Sequence, residues 1–367
     1  MSFSVLLLDN VDPVCKQVFE QRGIKAVQPG TLTLEELNAC IGEYDGMVVR
    51  SATKVTPELL QHAQKLKVIG RAGVGVDNID IPASTTKGVL VMNTPDGNTI
   101  STAEHTCGLI IAMSRNIPVA VQTVKDGGWN RKAYMGTEVH GKTLGIVGLG
   151  KIGSEVARRL KVFGMEIISC DPFSTDEHAQ QLGVKLVELE ELLLTSDYVT
   201  VHTPLTEKTK GLISLANKEG LKKGMRLVNC ARGGIYEEAD LSQLMDEGVL
   251  GGVALDVYST EPPTEEIYQM LAHPKVICTP HLGASTSEAK EGVSNAICNQ
   301  VVDFLNNDKL TNAINLPLTD MGLLKSLGPY LKLGNLIGKF LAQMVFFSIT
   351  KVQEGEKHLL QKKLLEL

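Results

Sequence analysis

Residues 142–160 read KTLGIVGLGKIGSEVARRL, and their order decides the architecture. A short apolar, β-type run ends at Val147, three glycines follow at 148, 150 and 153, and a helix-period stretch comes next. In this G-x-G-x-x-G spacing the first glycine permits a tight turn and the second lets backbone approach a pyrophosphate. The third lets helix and strand pack closely. The N-terminus of the helix then offers unpaired N–H groups and partial positive charge to phosphates. Asp171 closes the next strand 18 residues after Gly153, placed to accept hydrogen bonds from ribose 2′- and 3′-hydroxyls. Pro172 and Phe173 follow it, with no nearby arginine for a 2′-phosphate. The expected cofactor is NAD rather than NADP.

Outward from this motif the pattern repeats. KTLGIVG, MEIISC, YVTVHTP, MRLVNC, GGVALDVY and KVICTP are six strands with helical stretches such as EADLSQLMDEG between them, which suits one doubly wound Rossmann domain. An earlier series has strands at 3–9, 46–50, 67–70 and 88–92, with TLTLEELNACIG and TPELLQHAQKL as amphipathic helices behind threonine caps. Long helical patterns at 101–115 and about 287–305 flank the second series, so the simplest topology inserts it into the first. The fold class is therefore α/β with two doubly wound parallel-sheet domains. A discontinuous, flavodoxin-like substrate domain covers 1–98 and 288–320, with NAINLP returning to strand character, and the inserted NAD-binding domain covers 99–287. Residues 321–367 open on the amphipathic helical pattern LLKSLGPYLKLGNLIGKFLAQM. Fewer than about 50 residues do not easily bury a core of their own, so this segment reads as a truncated or divergent C-terminal appendage.

Composition narrows the function classes. The 367 residues include 36 Lys+Arg against 42 Asp+Glu, a net charge of −6, with 43% apolar residues. That balance suits a soluble globular protein and carries no electrostatic footprint for nucleic acid. No apolar run reaches the roughly 18 residues of a membrane span, and MSFSVLLLDN reads as a first strand rather than a leader. Cys15, Cys40, Cys107, Cys170, Cys230, Cys278 and Cys298 are odd in number and lack C-x-x-C spacing. They read as reduced, mostly buried thiols of a cytoplasmic protein.

The chemistry is expected where strands of the second series end in polar residues. MRLVNCARGG delivers Arg232, GGVALDVYSTEPP delivers Asp256 and Glu261, and KVICTPHLGAST delivers His281. An imidazole, a carboxylate to orient it and a guanidinium suit oxidation of an alcohol beside a carboxylate. His281 would take the hydroxyl proton, Glu261 would fix its tautomer and favour the imidazolium, and Arg232 would grip the substrate carboxylate bidentately. The plain alternatives are a structural Arg232–Asp256 bridge and a solvated Glu261. RAGVGVDN at 71–78 is a second glycine pair, suited to bringing backbone N–H groups to a small anion. The other histidines show no ligand spacing, and no metal site is expected.

Through VVRSATKVT, GRAGVGVDNID, NTPDGNTISTAEHT, GLGKIG, VHTPLT, NCARGG, ALDVYSTEPP and PHLGAST, from about Leu6 to Leu316, the chain resembles the D-isomer-specific 2-hydroxyacid dehydrogenases. The resemblance implies that Arg232, Glu261 and His281 are catalytic. It makes Val74, Gly148, Gly150, Lys151, Ile152, Gly153, Asp171, Thr203, Cys230, Ala231, Arg232, Asp256 and His281–Ala284 (Gly283 among them) cofactor contacts. Val74 is Thr in some relatives, so its contact here is backbone or apolar. The implied substrate is a phosphorylated 2-hydroxy acid, 3-phosphoglycerate, oxidised with NAD in the first step of a route to L-serine. Arg50, Lys54, Arg71, Gly73 and Val74 are expected to hold it. Arg131, beside Lys132, is expected to reach the neighbouring subunit's site in a homodimer or higher oligomer built through the NAD domain. A glycerate/hydroxypyruvate reductase and an NAD-sensing scaffold like the corepressors of this fold are the alternatives. The resemblance thins in the tail and ends near Met344.

Overall fold

The short apolar runs form two wholly parallel sheets. A computed structural model describes residues 3–316 and, within 330–341, the helical residues 330, 332–334, 336–338 and 340–341. The domain end expected at 320 and the tail beyond 341 lie outside the described residues. In the first sheet the strands are β1 (Ser4–Leu7), β2 (Lys25–Val27), β3 (Gly46–Val49), β4 (Val68–Arg71) and β5 (Leu90–Met92). The helices between them are α1 (Val14–Gln21), α2 (Leu34–Cys40), α3 (Pro57–His62) and α4 (Ile81–Lys87). The strand order β2-β1-β3-β4-β5 is the flavodoxin-like arrangement. Threonine caps start two of these helices as the sequence predicts. Thr33 accepts from Glu36 N at 3.3 Å while Glu36 reaches back to Thr33 N at 2.8 Å, and Thr56 caps a helix that begins with Pro57.

Helices α5 (Thr99–Ser114) and α6 (Ile117–Lys125) lead into the second sheet. It alternates β6 (Thr143–Val147), α7 (Lys151–Val162), β7 (Glu166–Cys170), α8 (Asp176–Leu182), β8 (Lys185–Leu186), α9 (Leu189–Thr195), β9 (Tyr198–Val201), β10 (Met225–Asn229), α10 (Glu238–Asp246), β11 (Leu250–Leu255), α11 (Glu265–Leu271) and β12 (Val276–Cys278). The order β12-β11-β10-β9-β6-β7-β8 reverses direction at β6 and β9. Apolar clusters cover both faces, one around Leu227, Leu241 and Leu250 and the other around Ile110, Leu144 and Leu160, as a parallel sheet requires. The chain then returns through α12 (Ser287–Asn307), capped by Thr286, which packs on β4 and α1.

Three expectations need correction. The first sheet has five strands and the second seven, because β2 and the two-residue β8 are too short to show periodicity. NAINLP adds a single β-bridge residue, Ala313, but no strand among its described residues, 312–316. The cysteines are all free, but only Cys15, Cys230 and Cys298 are buried, and Cys278 is exposed because it ends an edge strand. Among the described residues no single helix is long and apolar enough to cross a membrane. Only α5 and α6 together meet that length, with a 66° bend between them, and α5 is packed into the core of the second sheet.

Gly70 in β4 lets α12 approach, since a Cβ there would lie 2.8 Å from both Ile297 Cγ1 and Val301 Cγ2. Gly292, earlier in the same helix, faces open space. The two sites should respond with opposite signs in urea unfolding. Gly70→Val is expected to destabilise by about 1–3 kcal/mol through overpacking, and Gly292→Ala to stabilise by about 0.5–1 kcal/mol.

Candidate active site

The glycine loop is built as its spacing predicts. Gly148 has φ +94°, and a Cβ there would sit 2.7 Å from the His202 carbonyl oxygen, so the turn fits between β6 and β9 only without a side chain. A Cβ on Gly153 would meet the Gly148 carbonyl at 2.1 Å. Gly150, the N-cap of α7, faces open space. Asp171 accepts from Leu149 N at 2.7 Å and from Phe173 N at 2.8 Å, which fixes its carboxylate against the loop. A cleft of about 730 Å³ opens there, lined by Gly150, Lys151, Asp171, Ser174 and His178 among others. Thr203 Oγ1 and Ser174 Oγ are buried and lack a protein partner. Open backbone at a helix start, an acid at the strand end and unpartnered hydroxyls fit a dinucleotide. One cation absent from the local sequence reading also lines the cleft, Arg158, which bonds Glu155 on its own helix.

The three strand-end residues partly converge. His281 Nδ1 lies 2.7 Å from Glu261 Oε2, while Glu261 Oε1 accepts from Tyr258 N at 3.2 Å. The Glu261 hydrogen bond raises the His281 pKa above its ordinary value despite partial burial. Burial alone would raise Glu261, but the His281 hydrogen bond and charge outweigh it and leave the carboxyl lowered. His281 has φ +54°, a left-handed conformation costly for a residue with a Cβ. The turn is held by Asp256, which accepts from Leu282 N at 2.7 Å, Gly283 N at 2.8 Å and Thr279 Oγ1 at 2.5 Å. Asp256 is fully buried. Burial pushes its carboxyl up, yet these hydrogen bonds and that of His105 bring it below the ordinary value.

Arg232 follows β10 in a turn braced by Asn229, whose side chain donates to the Arg232 carbonyl at 2.7 Å and accepts from Ala231 N at 2.9 Å. Its Nε donates to Asp77 Oδ2 at 3.1 Å. The alternative of a structural Arg232–Asp256 bridge is not realised, because Asp256 turns toward residues 279–283. Gly75 is what lets the guanidinium lie so close, since a Cβ there would fall 2.0 Å from Arg232 Nη2.

A second cleft, about 410 Å³, brings Arg50, Arg71 and Gly73 of the first domain together with Glu261, His281 and Ala284. Arg71 is lowered to about 10, by burial first and then by the neighbouring charges of Arg232 and Arg50. Lys54 does not join them. It lines a separate cleft beside Leu8, Thr31 and Leu37, because Asp9 accepts from Arg50 N at 2.7 Å and Thr53 N at 3.0 Å and turns the chain after β3 away. Arg131 is exposed and lines neither cleft. Val74 offers its carbonyl to Asn93 Nδ2 at 2.6 Å. Ile152 packs beside the core under the glycine loop.

The sequence reading misses His105, Asp77 and Asp9. His105 lies inside α5, and its Nε2 is 3.2 Å from Asp256 Oδ1 and 3.1 Å from Thr279 Oγ1. His105, Cys230 and Asp256 place potential ligand atoms within 4.8 Å of one another. Asp256 is already filled by hydrogen bonds, and burial pushes the Cys230 thiol up to about 12, so the group reads as a hydrogen-bonded brace. Asp77 and His105 lie within the stretches RAGVGVDN and NTPDGNTISTAEHT, but nothing in their spacing points to their partners. Only the terminal acid of LLLDN, at the end of the first strand, offers a signal for Asp9.

Residues 107–283 match the description "D-isomer specific 2-hydroxyacid dehydrogenase, NAD binding domain". A D-3-phosphoglycerate dehydrogenase of Homo sapiens is 45% identical over 334 residues, 91% of this chain and 62% of the relative. One from Bacillus subtilis (strain 168) is 46% identical over 342 residues, 93% and 64% of the two chains. The chain thus spans less than two thirds of the length of these curated relatives. Among solved structures, a D-lactate dehydrogenase from Aquifex aeolicus, complexed with NAD and lactic acid, superposes with TM-score 0.75 at 25% identity, over 86% of this chain and 100% of the other. A glyoxylate reductase from Paecilomyes thermophila gives 0.77 at 28%, over 85% and 98%.

The Asp256 brace has a measurable consequence. Asp256→Ala leaves two amides and a hydroxyl near His281 without their acceptor and is expected to lower unfolding stability by about 2–4 kcal/mol. Asp256→Asn, which keeps one carbonyl acceptor, should lose less. An unchanged urea midpoint in the alanine variant would contradict the assignment.

Proposed function

We propose that the chain, whose residues 107–283 match the NAD-binding domain of the D-isomer-specific 2-hydroxyacid dehydrogenases, belongs to that family and oxidises D-3-phosphoglycerate to 3-phosphohydroxypyruvate with NAD, the first step of phosphorylated L-serine synthesis. One observation carries this reading: the His281–Glu261 pair, 2.7 Å apart, lines the same cleft as the Arg50 and Arg71 side chains. A base beside two guanidiniums suits an alcohol that bears both a carboxylate and a phosphate. The relatives named for that substrate support the choice.

In this reading the glycine loop, Asp171 and Thr203 hold the dinucleotide, and the Asp171 carboxylate disfavours a 2′-phosphate. NAD, when bound, supplies the hydride acceptor. With Nδ1–H donated to Glu261, His281 presents Nε2 to the C2 hydroxyl and takes its proton. Glu261 stabilises the imidazolium that results. Arg232 grips the carboxylate and polarises the C2 oxygen as it becomes a carbonyl. Arg50 and Arg71, with the backbone of Gly73 and Val74, take the phosphate end, each charge-assisted contact contributing about 1.5–3 kcal/mol.

A second copy of the chain completes the proposal. Helix α6 buries none of its residues; Val119, Val121 and Val124 are about half exposed, and Trp129 beyond it is 80% exposed. This face pairs with its equivalent in a homodimer, placing Arg131 toward the neighbouring site. Action in the cytoplasm is in keeping with seven free cysteines.

Turnover with 3-phosphohydroxypyruvate and NADH should exceed that with hydroxypyruvate or with NADPH. Preference for the unphosphorylated acid would instead favour the glycerate/hydroxypyruvate reductase reading. His281→Ala should lower kcat by about 10²–10⁴.

The pH dependence follows from the raised His281 pKa. Alcohol oxidation needs the neutral ring, so its rate rises as pH passes upward through that pKa; keto-acid reduction needs the imidazolium and falls there. Glu261→Gln removes the interaction that raises the pKa, so both limbs should move to lower pH. Unmoved limbs in this variant would exclude the pair as the titrating unit.

Light scattering tests the dimer. Val119→Glu with Val121→Glu should give monomers, and an unchanged mass would rule out this face.

A further inference from the structure

Two acidic side chains of the first domain have no role in the proposed reaction. Asp77 bonds Arg232 at 3.1 Å, and Asp96 bonds Lys151, the first residue of α7. Their side chains are 75% and 66% exposed, so both are open to solvent and can leave their partners without stranding a buried carboxylate. Among the described residues, each carboxylate has that one cation as its hydrogen-bond partner. Both acids come from loops of the five-stranded domain and both cations from the seven-stranded one. Under the proposed function these are the cations that meet the ligands' anions, Lys151 at the dinucleotide phosphates and Arg232 at the substrate carboxylate. An anion arriving at either position meets like charge already bound there.

We propose that Asp77 and Asp96 are resident counter-ions, holding Arg232 and Lys151 in the unliganded protein and giving way to the anionic groups of substrate and dinucleotide, so that each acid lowers the affinity of its site. The inference rests on the functional reading above. Its physical need is clearest around Arg71, where Arg50 and Arg232 add repulsion while Asp77 and Asp9 oppose it. Asp9 is tied to Arg50 N, Thr53 N and Thr53 Oγ1 and cannot leave. Asp77 can, and a substrate carboxylate then replaces its charge. An empty site without these acids would confront three guanidiniums with no mobile partner of its own.

The test compares Asp96→Asn and Asp77→Asn with the unaltered 367-residue chain, by NADH fluorescence titration and by steady-state reduction of 3-phosphohydroxypyruvate. Asp96→Asn should tighten the NADH Kd about two- to fivefold, the range available to exposed ion pairs, without lowering the keto-acid KM. Asp77→Asn should lower the keto-acid KM by a similar factor and leave NADH binding unchanged, whereas Asp77→Glu should restore the original KM. Both differences should shrink between about 20 mM and about 0.5 M salt as screening shortens the reach of charge. If either variant binds its ligand no more tightly, or more weakly, the acid positions its cation or is idle and the inference fails. An unaltered chain that neither binds NADH nor reduces the keto acid overturns the functional reading, and this inference with it. An active unaltered chain with unresponsive variants overturns this inference alone.

Discussion

The buried carboxylate of Asp256 organises the carboxyl end of the second sheet, where β11 and β12 give way to loops. It sits just after β11 and accepts from Thr279 just after β12 and from two amides of the turn beyond it, with His105 of α5 3.2 Å away. A carboxylate without solvent is costly unless its lone pairs are filled, and here they are filled by the groups that must be held still. The left-handed backbone of His281 is a strained conformation, and it persists because relaxing it would leave the Asp256 charge unpartnered. The position of the imidazole is thus fixed from below, by an acid that does not touch it, while Glu261 fixes its rotation from the side.

Charge distribution separates the two clefts. The cleft beside the glycine loop mixes Lys151 and Arg158 with Asp96, Glu155 and Asp171. The second cleft holds Arg50 and Arg71 of the first domain, and burial first, then the neighbouring charges of Arg232 and Arg50, lowers Arg71 to about 10. The glycines at 73 and 75 allow this crowding by leaving the backbone side of the Arg71 and Arg232 guanidiniums clear.

Much of this was legible in the sequence where the physics is local. The glycine spacing states its own geometry, so Gly148, Gly150 and Gly153 stand where the motif requires, and Asp171 closes on the loop through Leu149 N. The alternation of apolar runs and helices gives both sheets, and the strand ends carry Glu261 and His281 to one point. What was not legible is non-local or too short to have a period. Strands β2 and β8, of three and two residues, draw their identity from a neighbour's register. His105 and Asp77 look like ordinary helix and loop residues until the fold brings them to partners 151 and 155 positions away. Lys54 shares a segment with Arg50 yet faces another cleft, because Asp9 bends the chain between them.

The chain passes between the domains twice, out before α5 and back through α12, which seats on β4 where Gly70 has no side chain. A lobe tethered at one point can swivel about several axes, but one tethered at two is confined to rotation about the line joining them. That line is the one hinge axis the connectivity leaves to two rigid lobes, and about it the separation of Arg50 and Arg71 from His281 reduces to a single angle.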